Sequence, residues 1–168
     1  MLEYPLLLLF PAAMIYAAAS DLFTMTIPNR ISLALIMGFL GAAVLAGMGW
    51  QQILNHVGAA ALVLAITIVM FSQGWLGGGD AKLLASTSLW FGFGQVLDYT
   101  LLAAILGGVL TVFILTFRFA IPPVLIAGHN WVERLHDRKT GVPYGIALAA
   151  AGLWLFPKSD IFLAYAAV

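Results

Sequence analysis

Long apolar runs, separated by short polar, Gly or Pro stretches, organise this sequence. They fall at about residues 5–20, 31–49, 56–73, 81–97, 99–118 and 142–156. The runs are rich in Leu, Ala and Met and lack the alternation of a membrane β-strand, so each reads as a helix. A bilayer core of roughly 30 Å takes about 20 apolar residues per helix, which makes six transmembrane helices the simplest count. The pattern predicts an all-α, polytopic membrane protein: one transmembrane domain over residues 1–168, with no convincing internal repeat.

Composition sharpens this picture. Of 168 residues, 63% are hydrophobic and only 8% charged, far from the balance of a soluble globular domain. Membrane lipid is therefore the first partner to expect. Cys is absent, which removes disulfides and every Cys-based zinc or redox motif, and the three His are scattered, so neither a metal site nor a cofactor is expected. A formal net charge of zero suggests no nucleic-acid surface and no polybasic tail. Residues 17–19 resemble a signal-peptide cleavage site, but the preceding segment carries Glu3 and no Lys or Arg, so the run reads as a retained first span.

The few charges matter through their placement. Arg30 lies in the first connection, Lys82 beside the third, and Arg118, Arg134, Arg138 and Lys139 at or in the fifth, leaving only Lys158 elsewhere. The positive-inside rule puts the odd connections in the cytoplasm and the N-terminus outside. Gly92 and Gly94 interrupt the fourth segment, but a re-entrant loop there would export the basic cluster. Trp50, Trp75, Trp90, Trp131 and Trp154 mostly fall near span ends and read as an interfacial belt. Between residues 119 and 140, Trp131, Val132 and Leu135 recur at helical spacing, which predicts an interfacial helix anchored among headgroups.

Two acids stand out. Asp21 ends the first span and Asp80 begins the fourth, so the predicted topology puts both at the cytoplasmic side. Acids within membrane spans are costly and commonly mark function. A close carboxyl pair holds one shared proton, so one member can take a proton from water while the other hydrogen-bonds a scissile carbonyl. By default, however, Asp21 reads as an interfacial acid paired with Arg30, and Asp80 as a helix-start residue favoured by the dipole. Each acid sits in unusual punctuation. After Asp21, Pro28 disfavours helix at Ile27, predicting a short turn, with Asn29 or Ser32 capping the next span. Before Asp80, Gly77-Gly78-Gly79 offers a bare backbone against which a peptide could lie extended. Lys82 is about 200° around the helix from Asp80 and is expected to snorkel toward headgroups. His56, His129 and His136 receive no catalytic role.

These residues resemble the type IV prepilin peptidases, membrane aspartyl proteases of the G-x-G-D class. The resemblance rests on Asp21 with Ile27-Pro28-Asn29, on Gly77-Gly78-Gly79-Asp80 with Lys82-Leu83, and on Pro143-Tyr144-Gly145 opening the last span. It implies Asp21 and Asp80 as the catalytic pair. It further implies cleavage of a short basic leader, typically after Gly, from a pilin-like precursor at the cytoplasmic face. Pro143, Tyr144 and Gly145 are expected to support the site. Larger relatives carry a methyltransferase insertion with paired C-x-x-C motifs; without Cys, this chain is expected to lack N-methylation and to look like the peptidase-only members serving tight-adherence (Flp) pili, although preflagellin peptidases share the motif. The chief rival is a small ion- or proton-coupled transporter component, whose acids should lie nearer the midplane. A third reading is a noncatalytic scaffold for pilin helices. The oligomeric state is not legible.

Overall fold

The computed structural model describes residues 3–126 and 128–166. Its helices are α1 (Glu3–Thr24), α2 (Asn29–Leu45), α3 (Trp50–Ser72), α4 (Gly78–Ala120), α5 (Asn130–His136), α6 (Tyr144–Leu155) and α7 (Asp160–Ala166), with single 3-10 turns at Pro123–Leu125 and Phe156–Lys158. There is no strand among the described residues. Four stretches are long and apolar enough to cross a membrane: Leu7–Thr24, Trp50–Ser72, Gly78–Ala120 and Tyr144–Tyr165. The apolar α2 is shorter, at 17 residues. Large side chains such as Leu33, Val44, Ile66, Val109 and Phe119 face outward, as expected where lipid replaces water. Inside, Phe10 stacks on Phe156 with ring centroids 4.4 Å apart, and Trp90 packs against both.

Within α4 two helices meet at Gly92, whose φ of 57° and ψ of −173° are essentially restricted to glycine. The chain turns back here. Leu84 before the break and Ala103 after it line one cavity, although a straight helix would hold them about 28 Å apart. The first half, residues 78–91, rises only about 21 Å, short of the roughly 30 Å apolar core. Backbone groups at such a turn need partners that lipid cannot supply, and α3 provides them. Asn55 Oδ1 accepts from the Phe93 N–H at 2.9 Å, and the Leu89 carbonyl accepts from His56 Nδ1 at 2.6 Å. The boundary expected at residues 97–99 thus lies at Gly92, because only a residue without a side chain adopts this conformation; a Cβ there would sit 2.6 Å from Asn55 Oδ1.

Two other expectations change. Trp90 is no belt residue: it is fully buried, and its Nε1 donates to the Leu35 carbonyl at 3.1 Å. Trp50, Trp75 and Trp154 are exposed, in keeping with a belt. The interfacial helix expected between residues 119 and 140 shrinks to α5, with Leu135 buried. The rest of this connection is tied down by cations. Buried Arg118 donates to the carbonyls of Leu135 (2.6 Å), Thr140 (3.2 Å) and Gly141 (3.0 Å). Arg134 donates to the Phe23 carbonyl at 2.8 Å, so the connection is fastened to the end of α1.

Candidate active site

Asp21 occupies the last turn of α1 and is buried, 6% exposed. Its Oδ2 accepts from the Gly145 N–H at 2.7 Å. Gly145 lies in the first turn of α6, which opens behind Pro143 and Tyr144, where helix amides lack internal partners. The carboxylate of one helix therefore satisfies a backbone donor at the start of another. Only glycine allows so close an approach: a Cβ at position 145 would lie 2.8 Å from Asp21 Oδ2 and 2.9 Å from Ile27 Cδ1. The default pairing of Asp21 with Arg30 is not what the structure places there. Arg30 instead donates to the Tyr16 hydroxyl at 2.7 Å and lies over its ring, 5.7 Å from the centroid.

After α1 the chain makes the turn that Pro28 predicts. Met25 has a positive φ of 53°, and Pro28 is extended. Hydroxyl groups hold this turn. Ser20 Oγ donates to the Thr26 carbonyl at 2.8 Å, Thr24 Oγ1 donates to the Ser20 carbonyl at 2.7 Å, and the hydroxyls of Thr24 and Thr26 lie 2.7 Å apart. The concentration of Ser and Thr around Asp21 was the only sequence signal for them. The turn delivers Ile27 to the middle of the site. A Cβ on Gly79 would lie 3.2 Å from Ile27 Cβ, so one side chain touches the glycine before Asp80 as well as the glycine that bonds Asp21.

Asn29 and Ser32 do not cap α2. The cap position is Pro28, with no side-chain bond, because Asn29 turns its Oδ1 to accept from Lys82 Nζ at 3.0 Å. Ser32 is buried and its hydroxyl has no hydrogen-bond partner. Lys82 is exposed and is linked to α2 through one of its three donors.

Asp80 is the third residue of α4, behind Gly77 at the cap position. It is half-buried. Its Oδ2 folds back toward Gly77, where a Cβ would lie 2.8 Å away. The glycine triplet is less bare than its sequence suggests. A Cβ on Gly78 would meet the Phe71 ring at 3.3 Å and one on Gly79 would meet Ile27; of the three glycines Gly77 is the exposed one. Beside the pair, Tyr144 packs against Gly107 and helps to line an apolar cavity of about 330 Å³ together with Thr67, Leu76, Leu84 and Leu148. His56 is committed to the Gly92 turn, and His136 Nε2 donates to the Ile121 carbonyl at 2.7 Å. No cluster of potential metal ligands occurs among the described residues.

The structure thus brings Asp21, Ile27, Gly79, Asp80 and Gly145 to one place, while Asn29 and Lys82 lie together to one side. Residues 8–112 match the family model described as the Type IV leader peptidase family. The match contains Asp21, Ile27-Pro28-Asn29, the glycine triplet with Asp80, and Lys82; it ends before Pro143-Tyr144-Gly145. No curated protein and no solved structure matches the chain.

Proposed function

The chain belongs to the type IV leader peptidase family, and on that premise we propose that Asp21 and Asp80 form an aspartyl proteolytic pair that removes the leader from type IV pilin-like precursors of the Flp type. The observation that carries this reading is the convergence on Ile27, with Gly145 and its bound Asp21 on one side and Gly79-Asp80 on the other.

The chemistry follows from a carboxyl pair holding one proton. A water lies between the acids; the ionised carboxylate removes its proton while the protonated partner donates a hydrogen bond to the scissile carbonyl. The water oxygen bonds to the carbonyl carbon, forming a tetrahedral intermediate. A proton then passes to the amide nitrogen, the C–N bond breaks, and the pair again holds a single proton. Oδ2 of Asp21 is committed to Gly145, so Oδ1 is the oxygen that meets water. Fixing this acid before substrate arrives lowers the ordering cost of the attack. Exposed backbone at Gly77 gives an extended peptide a place to bond beside Asp80.

In this reading α1, α2, α3, the two halves of α4, and α6 with α7 make the six membrane segments. The basic residues orient them with both acids at the cytoplasmic face of the inner membrane and the N-terminus outside. The domain carries peptidase activity alone, without N-methylation. The transport alternative gains no support, since both acids lie beside connecting turns at helix ends instead of at the midplane.

The test is to co-express a pilin-like precursor with the wild type, Asp21→Asn or Asp80→Asn and follow its size on a gel. Each substitution keeps shape and polarity but cannot cycle a proton, so processing should fall by at least about 10³-fold while membrane insertion persists. Unchanged processing by either variant rejects the pair.

A further inference from the structure

A second cavity, of about 450 Å³, lies between α2, α3 and the first half of α4. One end is polar, formed by Asn29, Ser32, Lys82 and Ser86. From there its walls become aliphatic, and Ile36, Val57 and Leu64 are partly exposed on the face that meets lipid. Along α2 the lining runs from Asn29 to Ile36, a rise of about 10 Å. Among the described residues, Lys82 is the only charged one in the lining.

We propose that this groove binds one anionic phospholipid, with the phosphate at Lys82 and Ser32 and an acyl chain along the aliphatic wall. Three observations point to it. The Lys82 ammonium has three donors, of which the Asn29 side chain takes one at 3.0 Å. Ser32 is 9% exposed and its hydroxyl lacks a partner, a costly state that an acceptor oxygen in the groove removes. Lys82 meets no acid among the described lining residues, so its complement is an anion, and the wall beyond it is apolar and open to the bilayer. A lipid phosphodiester satisfies all three; a free phosphate leaves the wall empty. The site is separate from the proteolytic pair, because Lys82 lies about 200° around the helix from Asp80. The cavity beside Tyr144 has no charged lining residue among those described and offers no such match.

The full chain, purified in detergent, is titrated with phosphatidylglycerol, with phosphatidylcholine of the same acyl chains, or with inorganic phosphate, and adducts are counted by native mass spectrometry. One phosphatidylglycerol should be retained about tenfold more tightly than phosphatidylcholine. Lys82→Gln should abolish that preference, and Lys82→Arg should keep it. Ala61→Phe, which fills the aliphatic wall, should weaken both lipids. Ser32→Ala removes the hydroxyl without adding bulk, leaves the charge in place and should weaken phosphatidylglycerol about threefold. Asp21→Asn and Asp80→Asn should bind phosphatidylglycerol like the wild type, so the outcome stands apart from the proteolytic reading. Equal retention of the two lipids, a preference that survives Lys82→Gln, or displacement of phosphatidylglycerol by equimolar phosphate would each overturn the proposal.

Discussion

Asp21 and Asp80 reach the same site from opposite kinds of surroundings. Asp21 is buried and held by a backbone donor 124 residues further along the chain, behind a turn fastened by three hydroxyl side chains. Asp80 is half-buried at the start of its own helix, and its carboxyl folds over Gly77, which is exposed. One acid is positioned by tertiary packing and the other by backbone freedom. The difference teaches where adjustment to a substrate can occur: a shift at Asp21 disturbs α1, α6 and Ile27 together, whereas Asp80 moves by rotating one side chain.

Adding a methyl group on each side tests this directly. In Gly145→Ala the new Cβ would lie 2.8 Å from Oδ2 and 2.9 Å from Cβ of Asp21, and 2.9 Å from Ile27 Cδ1, atoms that packing prevents from yielding together. A displacement approaching 1 Å at the reacting carboxyl costs on the order of 10²-fold, so the initial rate of precursor cleavage should fall by about that factor. In Gly77→Ala the contact below 3.0 Å is with Asp80 Oδ2 at 2.8 Å, the far end of a side chain that can turn. We expect about a tenfold fall, reflecting one altered rotamer and not a displaced helix. Rates measured in membranes containing equal amounts of each variant should keep that order; Gly77→Ala as the more damaging change would break the comparison.

The same contrast separates what the sequence made legible from what it hid. Asp80 could be read with its surroundings, because the glycines that frame it are its immediate neighbours. Asp21 could be found, and Pro28 announced the turn after it, but the donor that holds it comes from Gly145, a contact that no local pattern encodes. Hydropathy located the helices, since burial in lipid imposes long apolar runs whatever their packing. It put the turn in α4 at residues 97–99 instead of at Gly92, where two glycines stood close together and only Gly92 takes a positive φ. It also misassigned Trp90, because a fully buried indole near a helix end has the same sequence signature as one at the interface. Long polar side chains were read least well. Arg30 and Lys82 found Tyr16 and Asn29, partners that depend on how α1, α2 and α4 pack against one another.

The smallest expected effect lies in the turn behind Asp21. Ser20→Ala removes the 2.8 Å bond to the Thr26 carbonyl, yet Thr24 Oγ1 lies 3.3 Å from the same oxygen and can turn its one proton there from the Ser20 carbonyl, a partial replacement. A net hydrogen bond contributes about 1 kcal/mol, and partial replacement should leave about a twofold loss in cleavage rate. Combination with the glycine variants gives this small effect its meaning. Ser20 acts on the turn that carries Ile27, so its loss should couple to Gly145→Ala, which crowds Ile27, and the double variant should depart from the product of the single effects. With Gly77→Ala, whose methyl group meets only Asp80, the losses should multiply independently. Coupling to Gly77→Ala instead would mean that Asp80 and the turn move as one body, and the division between a fixed acid and an adjustable one would fail.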